Sequence, residues 1–379
     1  MNTSQRYALT HEQICNPLVA QALNPTKDKK RRSILVEGAM GWGKSSILHM
    51  LAARLPDHIP CYFDCSTKDL GDITIPDLMH MDDGSGFVRY LTNEELGIHL
   101  GKPVILMLDE WGKCNQGVLN STLRIVQEGK VGSYTLHPDS VIFCTTNLAI
   151  EGVGDRLLAH QHDRVTTVEL AKPTPDAWVE WGYNNNIHTT ILAWANDNDR
   201  AFADFRDFEN PDDNLYIPHP RSNRTHGVTG RSLEAASNWL HMADQYDEHT
   251  LTSLLVGTTG DAAAGDIMAF SKLAGELPSL ESIRSDPKNA TVPTTASALM
   301  MVLYRVMDVL DGPMLDAWFT YLMRCPPTIG AVFASRARQL SDNRRLHPKA
   351  AKLKERIMQH QKFTDWAHTN NYLFTADKT

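Results

Sequence analysis

At 379 residues, with 42% hydrophobic and 22% charged residues, the chain has the make-up of a soluble globular protein with room for two or three domains. A net charge of −8 argues against wholesale coating of nucleic acid or of an anionic membrane. No apolar run approaches the ~20 residues a membrane helix requires, and the N-terminus lacks the basic-then-apolar plan of a signal peptide, so the cytoplasm is the expected compartment.

Residues 1–32 read as a lead-in helix ending in the basic run Lys29-Lys30-Arg31-Arg32. Strand and helix patterns then alternate, with strands predicted at 33–37, 60–65, 103–109, 140–145 and 165–170. Short apolar strands separated by helical stretches imply an α/β fold: one parallel, five-stranded sheet between helices. After Lys172-Pro173-Thr174-Pro175 the strand signal fades. Helices are predicted at about 175–182, 188–196 and 231–246, with a polar loop rich in Asp, Asn and Pro from 206 to 224. The stretches Gly257–Asp261 and Ser285–Thr295 read as linkers. Further helices are predicted near 296–310, 314–323 and 347–360. The expected organisation is a lead-in (1–32), a nucleotide-binding core (33–172), a helical lid (173–255) and a helical C-terminal extension (256–379). The six cysteines lack metal-ligand spacing and are expected to be free thiols.

The most informative segment is Gly38-Ala39-Met40-Gly41-Trp42-Gly43-Lys44-Ser45, a complete G-x-x-x-x-G-K-[ST] phosphate loop. It follows the apolar run Ile34-Leu35-Val36 and opens into a helical pattern beginning at Ser46. Glycines let the backbone wrap closely around anionic oxygens, so that N–H groups from Gly38 to Ser46 and the helix N-terminus face one phosphate chain. Lys44 would reach the β- and γ-phosphates of ATP, and the Ser45 hydroxyl would ligate Mg²⁺.

A second apolar strand, Val104 to Leu108, ends in Asp109-Glu110. In a parallel sheet these acids emerge beside the phosphate loop. Asp109 would hold Mg²⁺, largely through water, and Glu110 would polarise the water attacking the γ-phosphate. The strand Val141–Cys144 runs into Thr145-Thr146-Asn147, placing the Asn147 amide where it could orient that water. Two arginines, Arg156 and Arg164, flank a short helix before the last strand. An arginine there, in a ring-forming ATPase, reaches the neighbouring subunit's nucleotide; Arg164 is the preferred candidate and Arg156 the second.

Taken in order, these elements resemble the AAA+ ATPases, and more narrowly the MoxR-like group of bacteria and their phages. Gly38 to Ser45 matches Walker A, Leu106 to Glu110 matches Walker B, Thr146-Asn147 matches sensor 1, and Asp163-Arg164-Val165 resembles the family's Asp-Arg-Phe element. Thr229-Gly230-Arg231 looks like the second sensor, with glycine where proline is usual; Arg231 would then contact the γ-phosphate from the same subunit's lid. The resemblance covers roughly residues 10 to 250. It implies a homo-oligomeric ring, most often a hexamer, with ATP sites between subunits. It also implies chaperone-like remodelling of a protein client, often beside a von Willebrand factor A domain partner.

A nucleic-acid-acting ATPase is the alternative from another class. It rests on the basic residues Arg336, Arg338, Arg344, Arg345, Lys349, Lys352, Lys354 and Arg356. A small-molecule kinase fits less well with a lid arginine, a strand-tip Asn and a Walker B Glu, all of which point to hydrolysis. A GTPase is disfavoured because the chain has no Asn-Lys-x-Asp motif. Pore-loop candidates are the polar stretches Thr67–Asp77 and Asp82–Phe87.

Overall fold

Alternating side chains on one parallel sheet build two apolar clusters, one on each face. The computed structural model describes residues 7–23, 33–148, 157, 159–275, 277–339 and 348–370. The first half of the chain comprises α1 (His11–Leu23), β1 (Ile34–Glu37), α2 (Ser46–Arg54), β2 (Ile59–Asp64), β3 (Thr74–His80), β4 (Gly86–Thr92) and β5 (Val104–Asp109). There follow α3 (Gln116–Glu128), β6 (Lys130–Val131), β7 (Tyr134–Thr135), β8 (Val141–Thr146), α4 (Ala159–His162) and β9 (Thr166–Glu169).

The main sheet has five parallel strands in the order β2-β5-β8-β1-β9, as expected. Along β5, Ile105 and Met107 join Val36, Ile47, Leu51 and Phe143 in the cluster beneath α1 and α2. Val104, Leu106 and Leu108 face the other way and join Phe63, Val118, Leu123 and Ile142 in the cluster beneath α3. Successive strand residues point to opposite faces, so β5 must be apolar throughout to be buried by helices on both sides. The polar ends of β1, β5 and β8 are therefore the places where chemistry is available.

The region between β2 and β5 differs from the sequence reading. Part of the two stretches taken as loops forms an antiparallel hairpin, β3 against β4, closed by a turn in which Gly84 has φ +81°. Ile75, Leu78, Phe87, Val88, Tyr90 and Leu91 are all exposed, on both faces of the ribbon. Its base leans on the short hairpin β6–β7, where the Arg89 guanidinium donates to the Tyr134 hydroxyl at 3.2 Å.

The second half is helical: α5 (Pro175–Asn184), α6 (Thr189–Asp197), α7 (Gly230–His241), α8 (Glu248–Thr259), α9 (Asp261–Gly275) and α10 (Leu280–Ser285). It continues with α11 (Ala296–Asp308), α12 (Gly312–Leu322), α13 (Pro327–Gln339), α14 (Pro348–Gln359) and α15 (Gln361–Thr369). The predicted linker at Gly257–Asp261 is corrected to a one-residue break: Gly260, at φ +84°, ends α8, and α9 starts at the next residue. A continuous apolar cluster runs from Trp178 to Trp366, through Trp194, Leu255, Tyr304, Trp318 and Phe333. All six cysteines are free, and among the described residues no helix is long and apolar enough to cross a membrane.

One partly buried histidine in this half makes stability depend on pH. Burial pushes the His188 pKa down to about 4 from 6.5, and His241, whose ring centroid lies 5.0 Å away, adds to the shift. The unfolded chain therefore binds the extra proton first as the solution is acidified. The stabilisation is complete above pH 6.5 and lost as the pH falls through about 4, an effect of order 3 kcal/mol. His188 caps α6 by accepting the Thr190 amide hydrogen, a role an asparagine side chain fills without titrating. The urea midpoint of the wild type should thus fall more steeply between pH 7 and 4.5 than that of His188→Asn. Parallel pH profiles would show that His188 contributes nothing to acid sensitivity.

Candidate nucleotide site

The phosphate loop departs from the carboxyl end of β1, and its backbone is held at three points. The Gly38 amide donates to the Thr146 carbonyl at 3.2 Å, the Trp42 amide donates to Ala39 at 3.3 Å, and the Ser46 amide donates to Gly43 at 3.0 Å. Gly41 and Gly43 take left-handed φ values of +77° and +84°, a conformation that side-chain-bearing residues adopt only with strain. Ala39 and Trp42 are buried, whereas Met40 is exposed. Ser45 caps α2 without using its hydroxyl for the cap, leaving that oxygen to meet another group.

Lys44 is buried. Its ammonium donates to the Gly38 carbonyl at 2.7 Å, to the Ala39 carbonyl at 3.2 Å and to Asn147 Oδ1 at 2.6 Å. Two residues 103 positions apart in sequence therefore meet at the mouth of the loop. Asn147 follows β8, the strand lying between β1 and β5, which explains how one side chain reaches the loop lysine while its neighbours reach the acids.

Thr145 makes the second connection. Its hydroxyl donates to Asp109 Oδ1 and accepts the Glu110 amide hydrogen at 3.3 Å. The other Asp109 oxygen accepts from the Tyr62 hydroxyl at 2.8 Å. Burial, then the bond to Asp109, pushes the Tyr62 pKa upward and keeps it a donor. Thr145 and Tyr62 were not singled out from sequence, since a hydroxyl at a strand end has no signature of its own.

Glu110 occupies the left-handed region at φ +51°. For a glutamate this costs about 1–3 kcal/mol and persists only where the surroundings enforce it. Its Oε2 lies 2.9 Å from the Lys113 ammonium yet makes no well-aligned hydrogen bond. The carboxylate is thus held in place by charge and is not saturated by donors.

The start of α7 abuts the loop directly. Thr229 and Ser232 form a capping box that starts α7, and a Cβ built on Gly41 would lie 2.5 Å from the Thr229 Cβ. Arg231, exposed, follows within that first turn, and the start of α7 lies against the phosphate loop. A second strap runs through Trp42. The Arg206 guanidinium lies 5.5 Å from the Trp42 ring centre and pairs with Glu169 at 2.8 Å and Asp204 at 2.6 Å. Burial works against that charge, but the bonds to Asp204 and Glu169 outweigh it and raise the Arg206 pKa. Nearby, burial lowers the Lys172 pKa to about 8, and its ammonium donates to the Ala203 carbonyl at 2.6 Å.

Arg164 is exposed and precedes β9. Because β9 is parallel to its neighbour β1, the start of β9 lies at the amino ends of the strands, opposite the carboxyl ends from which the chain's own phosphate loop departs. Arg164 is therefore not gathered with Lys44, Asp109 and Asn147. Arg156 lies outside the described residues.

Among the described residues of the basic C-terminal segment, not every cation is at the surface. Arg336 is buried near Tyr304, and Lys354 donates to the Arg338 carbonyl at 2.7 Å. Arg344 and Arg345, and the side chains of Lys349 and Lys352, lie outside what is described. Helix packing takes Arg336 out of the stripe that its spacing implied, whereas Arg338 and Arg356 are exposed.

The fold, the loop and the lysine together define a phosphate-loop α/β protein. No family model matches the chain, and no curated protein matches it. Among solved structures it is similar to two mutant forms of Thermotoga maritima RuvB. One mutant is 14% identical, with 78% of this chain and 83% of that one covered, at a TM-score of 0.36; the other is 13% identical, with 80% and 85% covered, at 0.37. It is also similar to Hsp104 in a closed-state reconstruction with ATPγS and FITC-casein, at 15% identity and a TM-score of 0.37. That match covers 48% of this chain and only 38% of the Hsp104 chain, so this chain spans well under half the length of that protein. Nothing about chemistry follows from likenesses this distant.

Proposed function

We propose that the chain is a Mg²⁺-dependent, ATP-hydrolysing AAA+ ATPase of the MoxR-like kind, acting as a ring to remodel or assemble a protein partner. The observation that carries this reading is the 2.6 Å bond between Lys44 and Asn147, with Asp109 and Glu110 tied to Thr145 on the same strand end. The amides of residues 38–46 would cradle the phosphates, with Lys44 neutralising their charge. Mg²⁺ keeps several waters and takes few protein ligands, which suits a site built from the Ser45 hydroxyl and the Asp109 carboxylate. When bound, the ion would supply charge neutralisation on the phosphate oxygens. Glu110 would accept the proton of the attacking water, and Asn147 would orient that water.

Arg231 would meet the γ-phosphate from the lid of the same subunit. Arg164, before the start of β9 and so at the strand ends opposite the phosphate loop, would serve a neighbour's site, and this supports reading the assembly as a homo-oligomeric ring, taken as a hexamer by family resemblance. A von Willebrand factor A domain protein is the partner that the MoxR-like resemblance implies. The test is to measure phosphate release and the mass of the full chain in solution with and without saturating Mg-ATP. A nucleotide-dependent assembly near six chain masses that releases phosphate is expected. A chain that binds ATP yet stays monomeric refutes the ring.

A further inference from the structure

The start of α1 is anchored beside β9, capped within itself and joined to the phosphate loop by one side chain. Leu9 forms a parallel bridge with Leu170: its amide donates to the Glu169 carbonyl, and its carbonyl accepts from the Ala171 amide, each at 2.8 Å. One residue on, Thr10 and Gln13 cap the helix reciprocally. The Thr10 amide donates to Gln13 Oε1 at 2.9 Å, and the Gln13 amide donates to Thr10 Oγ1 at 3.3 Å. These bonds deliver the His11 ring to the loop, with Nε2 3.1 Å from the Gly43 carbonyl oxygen.

A carbonyl only accepts, so Nε2 carries the hydrogen. The Ser46 amide donates to the same oxygen at 3.0 Å, and the two donors together fix the plane of the peptide joining Gly43 and Lys44. In a trans peptide the carbonyl and the amide hydrogen point in opposite directions. Turning the Gly43 oxygen toward His11 and the first turn of α2 therefore turns the Lys44 amide hydrogen away from them, toward the phosphate side. The fit leaves no slack, since a Cβ on Gly43 would sit 2.9 Å from His11 Nε2.

We propose that His11 is a positioning residue for phosphate binding: it holds the peptide between Gly43 and Lys44 so that the Lys44 amide addresses a phosphate of the bound nucleotide. This rests on the nucleotide-binding reading above and adds the N-terminal helix to the site. It assigns His11 to the phosphate chain and not to the base. Burial lowers the His11 pKa, outweighing the nearby Gly43 and Trp42 carbonyls, which favours a neutral ring with a single N–H donor.

The test uses the full chain and three ligands: ATP, ADP and inorganic pyrophosphate, the last measured as a competitor of ADP. His11→Leu keeps bulk but removes the donor, and His11→Gln restores an N–H at similar reach. The leucine variant is expected to weaken all three ligands by a common factor of about three- to tenfold, the net worth of one hydrogen bond. Turnover at saturating ATP should stay within about twofold, because the interaction is made equally in ground and transition states. The glutamine variant should recover most of the affinity. Unchanged binding by His11→Leu overturns the proposal, and so does weakening of ATP and ADP with pyrophosphate unaffected, which would mean contact with the base. Equal loss in both variants, matched by a lower melting temperature, also overturns it. A wild-type chain that binds no nucleotide sinks the functional reading itself, whereas a nucleotide-binding wild type with an indifferent leucine variant sinks only the assignment of His11.

Discussion

Lys44→Ala should raise the dissociation constant for ATP by at least about 100-fold, the loss expected when two charge-assisted bonds to phosphate disappear. The lysine is buried and gathers three oxygens, two from the loop backbone and one from Asn147. An ammonium has three donors, so the cation exchanges some of these oxygens for those of an entering phosphate chain. Titration calorimetry with ATP measures the effect, and circular dichroism of the same sample checks that the sheet remains folded. Affinity for ATP equal to that of the wild type would remove the phosphate loop from the account altogether.

Glu110→Gln is the complementary case. It should bind ATP within about threefold of the wild type while losing roughly 10²–10⁴ in turnover, the usual worth of a positioned general base. The amide has the shape of the carboxylate and keeps the left-handed backbone at residue 110, but it cannot take a proton from water. Loss of the ion pair with Lys113, itself partly exposed, costs at most about 1 kcal/mol. Steady-state phosphate release beside nucleotide titration separates the two quantities. Unchanged turnover would mean that Glu110 is only a strained turn residue.

Much of this arrangement was readable from residue order, because the cues are local. A five-residue apolar run ending in Asp109-Glu110 leaves little choice but a buried strand with its acids at the tip, and a Gly-rich loop ending in Lys44-Ser45 needs a strand before it and a helix after. The β3–β4 hairpin was not read. Its apolar residues are exposed on both faces, so they lack the clean in-and-out alternation by which half-buried strands are recognised, and Pro76 argues against a strand. The roles of Tyr62, Thr145 and His11 escaped for a different reason. Each is a single polar side chain whose partner is brought near by strand order or helix packing, over separations of 32 to 47 residues. In the basic tail, spacing counts charges without revealing which helix face is covered, and Arg336 lies on a covered one.

The apolar cluster that passes unbroken from Trp178 to Trp366 limits how α7 can move. A movement of α7 relative to the phosphate loop is not a local flap closing, because α8 to α15 are packed into the same body. Any shift at the contact between Thr229 and Gly41 is therefore shared by the whole helical half, and it cannot be absorbed by one helix alone.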